Sequence, residues 1–223
     1  MKKSIWLRKE IPIADELIAL APKLTEEFLA YHTDFIDGEF SKGVPYINET
    51  FDTNNIKSHE HAWKIDGLKY VYKEKNIVLD PFKNEEIKKR FPTAVALTER
   101  WGEDCPISTY SILEKNSIIE RHTGIENRNG EFLRIHIPLI IPKGDIFLEV
   151  EGVEIDWRDL FGFDNQFMHS AYNYTDHRRL VYLIDIRRSA IGIQPGGKTN
   201  KKRYKDVPPF VRGQYPKIYN EHV

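Results

Sequence analysis

Phe132-Leu133-Arg134-Ile135-His136-Ile137-Pro138-Leu139-Ile140-Ile141 is the stretch whose reading decides the fold. In an extended strand, alternate side chains share a face. One face then carries Leu133, Ile135, Ile137, Leu139 and Ile141, an unbroken core surface. The other carries Phe132, Arg134, His136, Pro138 and Ile140, so an arginine and a histidine project together among apolar neighbours. That face meets either solvent or a polar pocket. Solvent is the ordinary place for two polar residues, but here it would expose Phe132 and Ile140 as well.

Similar short runs, rich in β-branched and aromatic residues, lie on both sides at 107–113, 117–122, 146–150, 153–157, 167–173 and 180–186. Turn clusters divide them: Glu114-Lys115-Asn116, Arg128-Asn129-Gly130, Pro142-Lys143-Gly144-Asp145, Glu151-Gly152 and Thr175-Asp176-His177. About seven strands at roughly ten-residue spacing predict a sandwich or jelly roll. Nothing in the chain repeats internally.

Upstream, the texture is mixed. Ile13, Leu17, Leu20, Leu24 and Phe28 fall three or four apart, which predicts helix over 11–35. Pro22 has no N–H to give the preceding turn, so a kink or a second helix begins there. Residues 36–60 form a polar loop long enough to expect a functional role. Asp66-Gly67 between Trp63-Lys64-Ile65 and Leu68-Lys69-Tyr70-Val71-Tyr72 predicts a hairpin. Residues 84–90 and 93–101 read as short helices split at Phe91-Pro92, with Gly102 as a stop.

Composition bounds the rest. The 223 residues suit one domain with a sizeable core, and 40% hydrophobic with 30% charged residues is ordinary for a soluble protein. A formal net charge of −1 argues against generic binding of polyanions. Cys105 is the lone cysteine, so no disulfide framework exists and a reducing cytoplasm is expected. The start, Met1-Lys2-Lys3-Ser4-Ile5-Trp6-Leu7-Arg8, lacks the apolar run of a signal peptide, and no segment is long and apolar enough to predict a membrane span. From Arg187 onward nine basic residues stand against Asp206 and Glu221, a Gly/Pro-rich tail expected to wrap the surface or dangle. The expected organisation is one domain over 1–187, with a helical and hairpin lead-in to 106 and a β core over 107–187, followed by a basic extension over 188–223.

Of the eight histidines, His122 and His169 stand out by order rather than by spacing: histidine, an Arg-x-His strand, histidine, then Arg179 ten residues on. Arg179, Val181, Leu183 and Asp185 share one strand face. If 167–173 and 179–186 pair as a hairpin, Arg179 lies four residues from the level of His169, about 13 Å at roughly 3.3 Å per residue. A five-carbon dicarboxylate chelated by a metal at His169 would point its far carboxylate towards an arginine at that distance. The planar guanidinium suits the task, because it grips a carboxylate through two bonds and keeps its charge. No metal role is assigned to His32, His59, His61, His136, His177 or His222.

Tyr110-Ser111-Ile112-Leu113, His122-Thr123-Gly124, Leu133-Arg134-Ile135-His136, Phe163-Asp164 to His169, and Arg179-Leu180-Val181 to Asp185, taken in order, resemble the aspartyl/asparaginyl β-hydroxylase family. Phe91-Pro92-Thr93 with Leu97 is similar to its lead-in, so the resemblance covers roughly 90–187. It implies an Fe(II)- and 2-oxoglutarate-dependent dioxygenase on a double-stranded β-helix, a cupin-like jelly roll that is mainly β with flanking helices. His122 and His169 would be the iron ligands and so the catalytic pair. Arg179 would take the far carboxylate of 2-oxoglutarate, with Ser111, Arg134 and His136 completing the cosubstrate site. Many such irons sit on two histidines and a carboxylate. Here the carboxylate position is Gly124, an absence the family shares, and Asp164 is expected only to orient His169. O2 is the other co-reactant, and the implied outcome is hydroxylation of an unactivated C–H of an amino acid, a peptidyl side chain or an acyl group.

The connection 124–131 is longer than the family's usual one, so substrate preference does not carry over. Pocket walls are expected from 36–60, Trp101 and this connection. The rivals are halogenation at the same site, with a halide beside Gly124, and a non-catalytic β-helix binding module. A third, a nucleic-acid binder using the basic tail, is disfavoured because the tail lacks a stacking surface.

Overall fold

The structure is a computed structural model, and it describes residues 3–36, 63–72, 77–79, 85–124, 129–197 and 217–218. Its strands are β1 (Ile5–Leu7), β2 (Trp63–Tyr72), β3 (Ile77–Leu79), β4 (Ile107–Leu113), β5 (Ser117–His122), β6 (Phe132–Ile140), β7 (Ile146–Val150), β8 (Val153–Asp156), β9 (Phe161–Phe163), β10 (His169–Asn173), β11 (Arg179–Arg187) and β12 (Lys217–Ile218). Helices α1 (Ala14–Ala19), α2 (Ala21–Tyr31), α3 (Glu85–Arg90) and α4 (Pro92–Trp101) flank them. Pro22 and Pro92 both sit in the first turn of a helix, where a missing N–H costs nothing. Gly102, at φ 51°, ends α4 in a conformation that a Cβ would disfavour.

Two sheets face each other. The larger has seven strands in the order β1-β9-β6-β11-β4-β2-β3, the smaller five in the order β12-β8-β7-β10-β5. Along 107–187 the chain crosses repeatedly between them: β4, β6, β9 and β11 belong to the larger sheet, β5, β7, β8 and β10 to the smaller. That alternation is a double-stranded β-helix, a jelly roll as the sequence predicts.

The larger sheet has a different task on each face. Leu133, Ile135 and Ile137 of β6, with Leu180, Tyr182 and Ile184 of β11, form one buried cluster with Leu17, Leu24, Phe28 and Leu97 of the helices. Val181, Phe161 and Phe163 face the other way, into a second cluster with Ile119, Leu148, Ile155 and Ala171 of the smaller sheet. The period-2 pattern thus puts Arg134 and His136 between the sheets rather than in solvent. A register irregularity opposite Leu180/Val181 ends the alternation, so Ile140 packs on the helix side and Ile141 on the inter-sheet side.

Two local expectations are overturned. Residues 63–72 do not fold back at Asp66-Gly67. They run as one strand along β4, and the surplus residue is absorbed as an irregularity between Gly67 and Lys69. Asp-Gly permits a turn, but a full-length partner strand offers a ladder of hydrogen bonds instead. Nor do 167–173 and 179–186 pair. β10 lies between β5 and β7, whereas β11 lies between β4 and β6, so the turn at Thr175-Asp176-His177 carries the chain from one sheet to the other.

Beyond β11 the chain stays attached at first. Arg188 and Ile191 are buried, Arg188 N donates to Glu131 O at 2.8 Å, and Gly196 N donates to Gly130 O at 2.8 Å. Among the described residues no helix is long and apolar enough to cross a membrane.

Candidate active site

His122 ends β5 and His169 begins β10, and the antiparallel register sets them opposite each other. Their ring centroids are 4.2 Å apart, tilted by 54°. Phe163 of β9 packs edge-on against His169 at 5.0 Å. His169 Nδ1 lies 2.9 Å from the Phe167 carbonyl oxygen. A carbonyl only accepts, so Nδ1 carries the proton and Nε2 keeps a lone pair, the form a metal needs. Burial, then the neighbouring His122, holds the His169 imidazole well below its ordinary value, so it is neutral at neutral pH.

Around the pair lies a pocket of about 380 Å³, counted out to solvent, lined among others by Trp63, Ser111, Arg134, His136, Trp157 and Arg179. Every site residue anticipated from sequence (Ser111, His122, Arg134, His136, His169 and Arg179) reaches this one cavity. Arg179 arrives by a different route from the one expected. It comes from the facing sheet rather than along a shared hairpin, so the 13 Å estimate falls with its register.

The cations of the pocket differ. Arg134 Nε and Nη2 each donate to Asp185 at 2.8 Å, an ion pair across the β6/β11 ladder, where the two residues are register partners. Arg179 is 1% exposed, and its Nη1 donates to the Ser111 carbonyl at 3.0 Å and, more weakly, to Ser111 Oγ at 3.4 Å. Among the described residues no carboxylate lies in salt-bridge reach of it, and its Nε is buried without a partner. Burial pulls this guanidinium down to about 9. Its Cζ stands 4.3 Å from the centroid of the Trp157 ring, a cation–π contact that offsets part of the desolvation.

His136 is buried, and among the described residues its Nε2 has no partner either. Burial first, then Arg179 and Arg134, keep its imidazole well below its ordinary value. A buried charged group without a counter-ion and a buried ring nitrogen without a bond are costly in an isolated fold. Both face the cavity that holds the imidazole pair. A small anion with several oxygens fits this donor set.

Gly124 has no room for the missing carboxylate. A Cβ there would lie 2.3 Å from Asn165 Nδ2 and 2.7 Å from Asn165 Cγ, and Gly124 N already donates to the Asn165 carbonyl at 2.6 Å. The buried Asn165 side chain therefore packs where a residue at 124 would grow. Among the described residues no group of three or more His, Cys, Asp and Glu side chains could hold a metal.

Other expectations are corrected. Asp164 does not orient His169; it forms a buried ion pair with Arg188 at 2.6 Å and accepts Gln166 N at 3.0 Å, while the Phe167 carbonyl holds the imidazole. Trp101 packs against the helix-side cluster instead of the pocket. The loop 36–60, apart from residue 36, and residues 125–128 of the His122–Arg134 connection lie outside the described residues. Sequence reasoning missed Trp63 and Trp157 as pocket residues; each sits at the end of a recognised strand, where periodicity carries no information.

The family model that matches the chain shows a 2-oxoglutarate-dependent dioxygenase of the hydroxylating class. The chain belongs to the aspartyl/asparaginyl β-hydroxylase family, whose model matches residues 26–189. No curated protein is similar enough in sequence to count as a match. Among solved structures, the chain is similar to a Pseudomonas putida prolyl-4-hydroxylase, at 14% identity and TM-score 0.39, covering 83% of this chain and 91% of that one. It is also similar to a Trichoplax adhaerens prolyl hydroxylase in complex with a hypoxia inducible factor peptide fragment, at 13% identity and TM-score 0.42, covering 77% and 80%. A 2OG-Fe(II) oxygenase family protein from Burkholderia pseudomallei shares 10% identity at TM-score 0.38, covering 64% and 73%. Likenesses this distant assign no residue a role.

Proposed function

We propose that His122 and His169 hold Fe(II), that Arg179, His136, Ser111 and Arg134 hold 2-oxoglutarate, and that the protein hydroxylates an unactivated C–H of an amino acid, a peptidyl side chain or an acyl group. The observation that carries this reading is Arg179, a buried guanidinium with no acid beside it among the described residues, in the cavity that holds two facing imidazoles. When bound, iron with 2-oxoglutarate and O2 supplies the oxidation: one oxygen atom enters the C–H as hydroxyl, the other enters succinate, and CO2 leaves.

The chain's own residues bind, aim and exclude water. Arg179 and Ser111 receive one carboxylate of the diacid, and His136 donates through Nε2 to its other end. The two bonds to Asp185 fix the Arg134 side chain as a wall. Phe163, packed against His169, keeps that ring from turning. The Phe167 carbonyl keeps its Nε2 unprotonated.

The test is anaerobic reconstitution with Fe(II), admission of O2, and a succinate-release screen over free amino acids, peptides and acyl compounds. A substrate that stimulates succinate release and gains one oxygen by mass supports the reading. A chain that binds Fe(II) yet never consumes 2-oxoglutarate, with or without substrates, counts against it.

A further inference from the structure

Two acceptor atoms of the pocket, His136 Nδ1 and Ser111 Oγ, are occupied by two indoles and the arginine. Trp157 Nε1 donates to His136 Nδ1 at 2.9 Å, with the rings almost parallel at 10°. Trp63 Nε1 donates to Ser111 Oγ at 2.9 Å, and Arg179 Nη1 also reaches that oxygen at 3.4 Å. An indole N–H can only donate, so each contact fixes the polarity of its partner. His136, accepting at Nδ1, must carry its proton on Nε2. Ser111 Oγ, accepting twice, has only its own proton left to give.

We propose that Trp63 and Trp157 are positioning residues that leave Ser111, His136 and Arg179 facing the pocket as donors only, committing these three to carboxylate oxygens. With those acceptors spent, Ser111 Oγ–H, His136 Nε2–H and Arg179 Nε–H are what these three residues offer the cavity. A carboxylate oxygen, which only accepts, is matched by each of them. An amide or an ammonium group must bring its own donor against another donor, and such a mismatch inside a dry site is costly. Trp157 has a second function, because its ring face is the support on which the Arg179 guanidinium lies. That Trp157 is itself fully buried means neither contact is exchanged with water.

The identity of the diacid rests on the function proposed above; the polarity of these three residues does not, and the experiment separates them. In the wild-type chain, nitrogen NMR of the imidazoles, with His136 assigned by its loss in His136→Asn, is expected to give the Nε2–H tautomer. Finding the proton on Nδ1 overturns the proposal without any variant. Trp157→Phe and Trp63→Phe keep a ring and lose the N–H. On the Fe(II)-loaded full chain under anaerobic conditions, each is expected to weaken 2-oxoglutarate binding about tenfold by calorimetry. Trp157→Phe should also leave His136 in mixed tautomers. A merely structural tryptophan would alter the melting temperature without moving the tautomer. In the His136→Asn background, where the tautomer no longer exists, Trp157→Phe should cost clearly less than it does in wild type. Unchanged affinity and tautomer in Trp157→Phe overturn the proposal. Should the wild-type Fe(II)-loaded chain bind no 2-oxoglutarate while the Nε2–H tautomer is found, the proposed cosubstrate falls and the donor polarity of Ser111, His136 and Arg179 stands.

Discussion

Arg134 and Arg179 line the same pocket, but Asp185 holds the first through two bonds of 2.8 Å while the second, among the described residues, hydrogen-bonds only to the carbonyl and hydroxyl of Ser111. Their substitution should therefore have opposite signs. Arg134→Met removes the cation that holds a buried carboxylate and should cost about 3–5 kcal/mol of stability. Arg179→Met removes a buried charge that has no acid among the described residues, so the protein without ligand should melt no lower than wild type. The same change should raise the 2-oxoglutarate requirement about a hundredfold, since a carboxylate loses a charged partner. Thermal unfolding and initial rates against cosubstrate concentration check both. Equal destabilisation by the two variants would contradict this account of Arg179.

His169 is expected to be needed for the metal and not for the fold. β10 is hydrogen-bonded on both sides, to β5 and to β7, and that ladder does not involve the imidazole. His169→Ala should abolish Fe(II) binding in an anaerobic titration and leave the circular dichroism spectrum in place. Retained Fe(II) affinity in this variant would remove His169 from the site.

Stability should fall in alkali. Burial pushes the Cys105 thiol from its ordinary 9.0 up to about 12, and burial also raises Tyr110 and Tyr182. For these acids the unfolded chain ionises first, so above pH 9 unfolding releases protons and stability is lost as pH rises. Each group fully out of step contributes a slope of about 1.4 kcal/mol per pH unit. The melting temperature is expected to fall from pH 9 upward, less steeply in Cys105→Ala. Alkylation of the thiol should track unfolding; fast alkylation of the folded protein at pH 8 would contradict the burial.

The strand core was legible because both faces of β6 and β11 are buried for different reasons. Leu133, Ile135 and Ile137 pack on helices, while Arg134 and His136 look between the sheets. That contrast survives in a single sequence as a period of two. Pairing was not legible. Short strands around Thr175-Asp176-His177 fit a hairpin and a crossover equally well, and only the whole set of partners decides. β1 and β9, three residues each, are too short to have a period. The six residues that meet in the pocket were singled out by their order along the chain, whereas Trp63, Trp157 and Asn165 fill space beside them, which leaves no local pattern.

Asn165 gives the last expectation its force. If the site had merely lost a carboxylate ligand, restoring one at 124 would repair it. Here any side chain at 124 meets the Asn165 amide within 2.3 Å and its carbonyl oxygen at 3.1 Å. Gly124→Ala should therefore cost about 1–3 kcal/mol, as overpacking of a tight interior does. Gly124→Asp should lose more, since it adds a buried charge, and should not tighten Fe(II) binding. Pairing Gly124→Ala with Asn165→Gly removes the amide but not the backbone oxygen, so it should restore part of the loss. Denaturant unfolding of the three variants, with Fe(II) titration of each, checks the order. Gly124→Asp that folds like wild type and holds Fe(II) more tightly would mean that the place beside Gly124 is open to a third ligand.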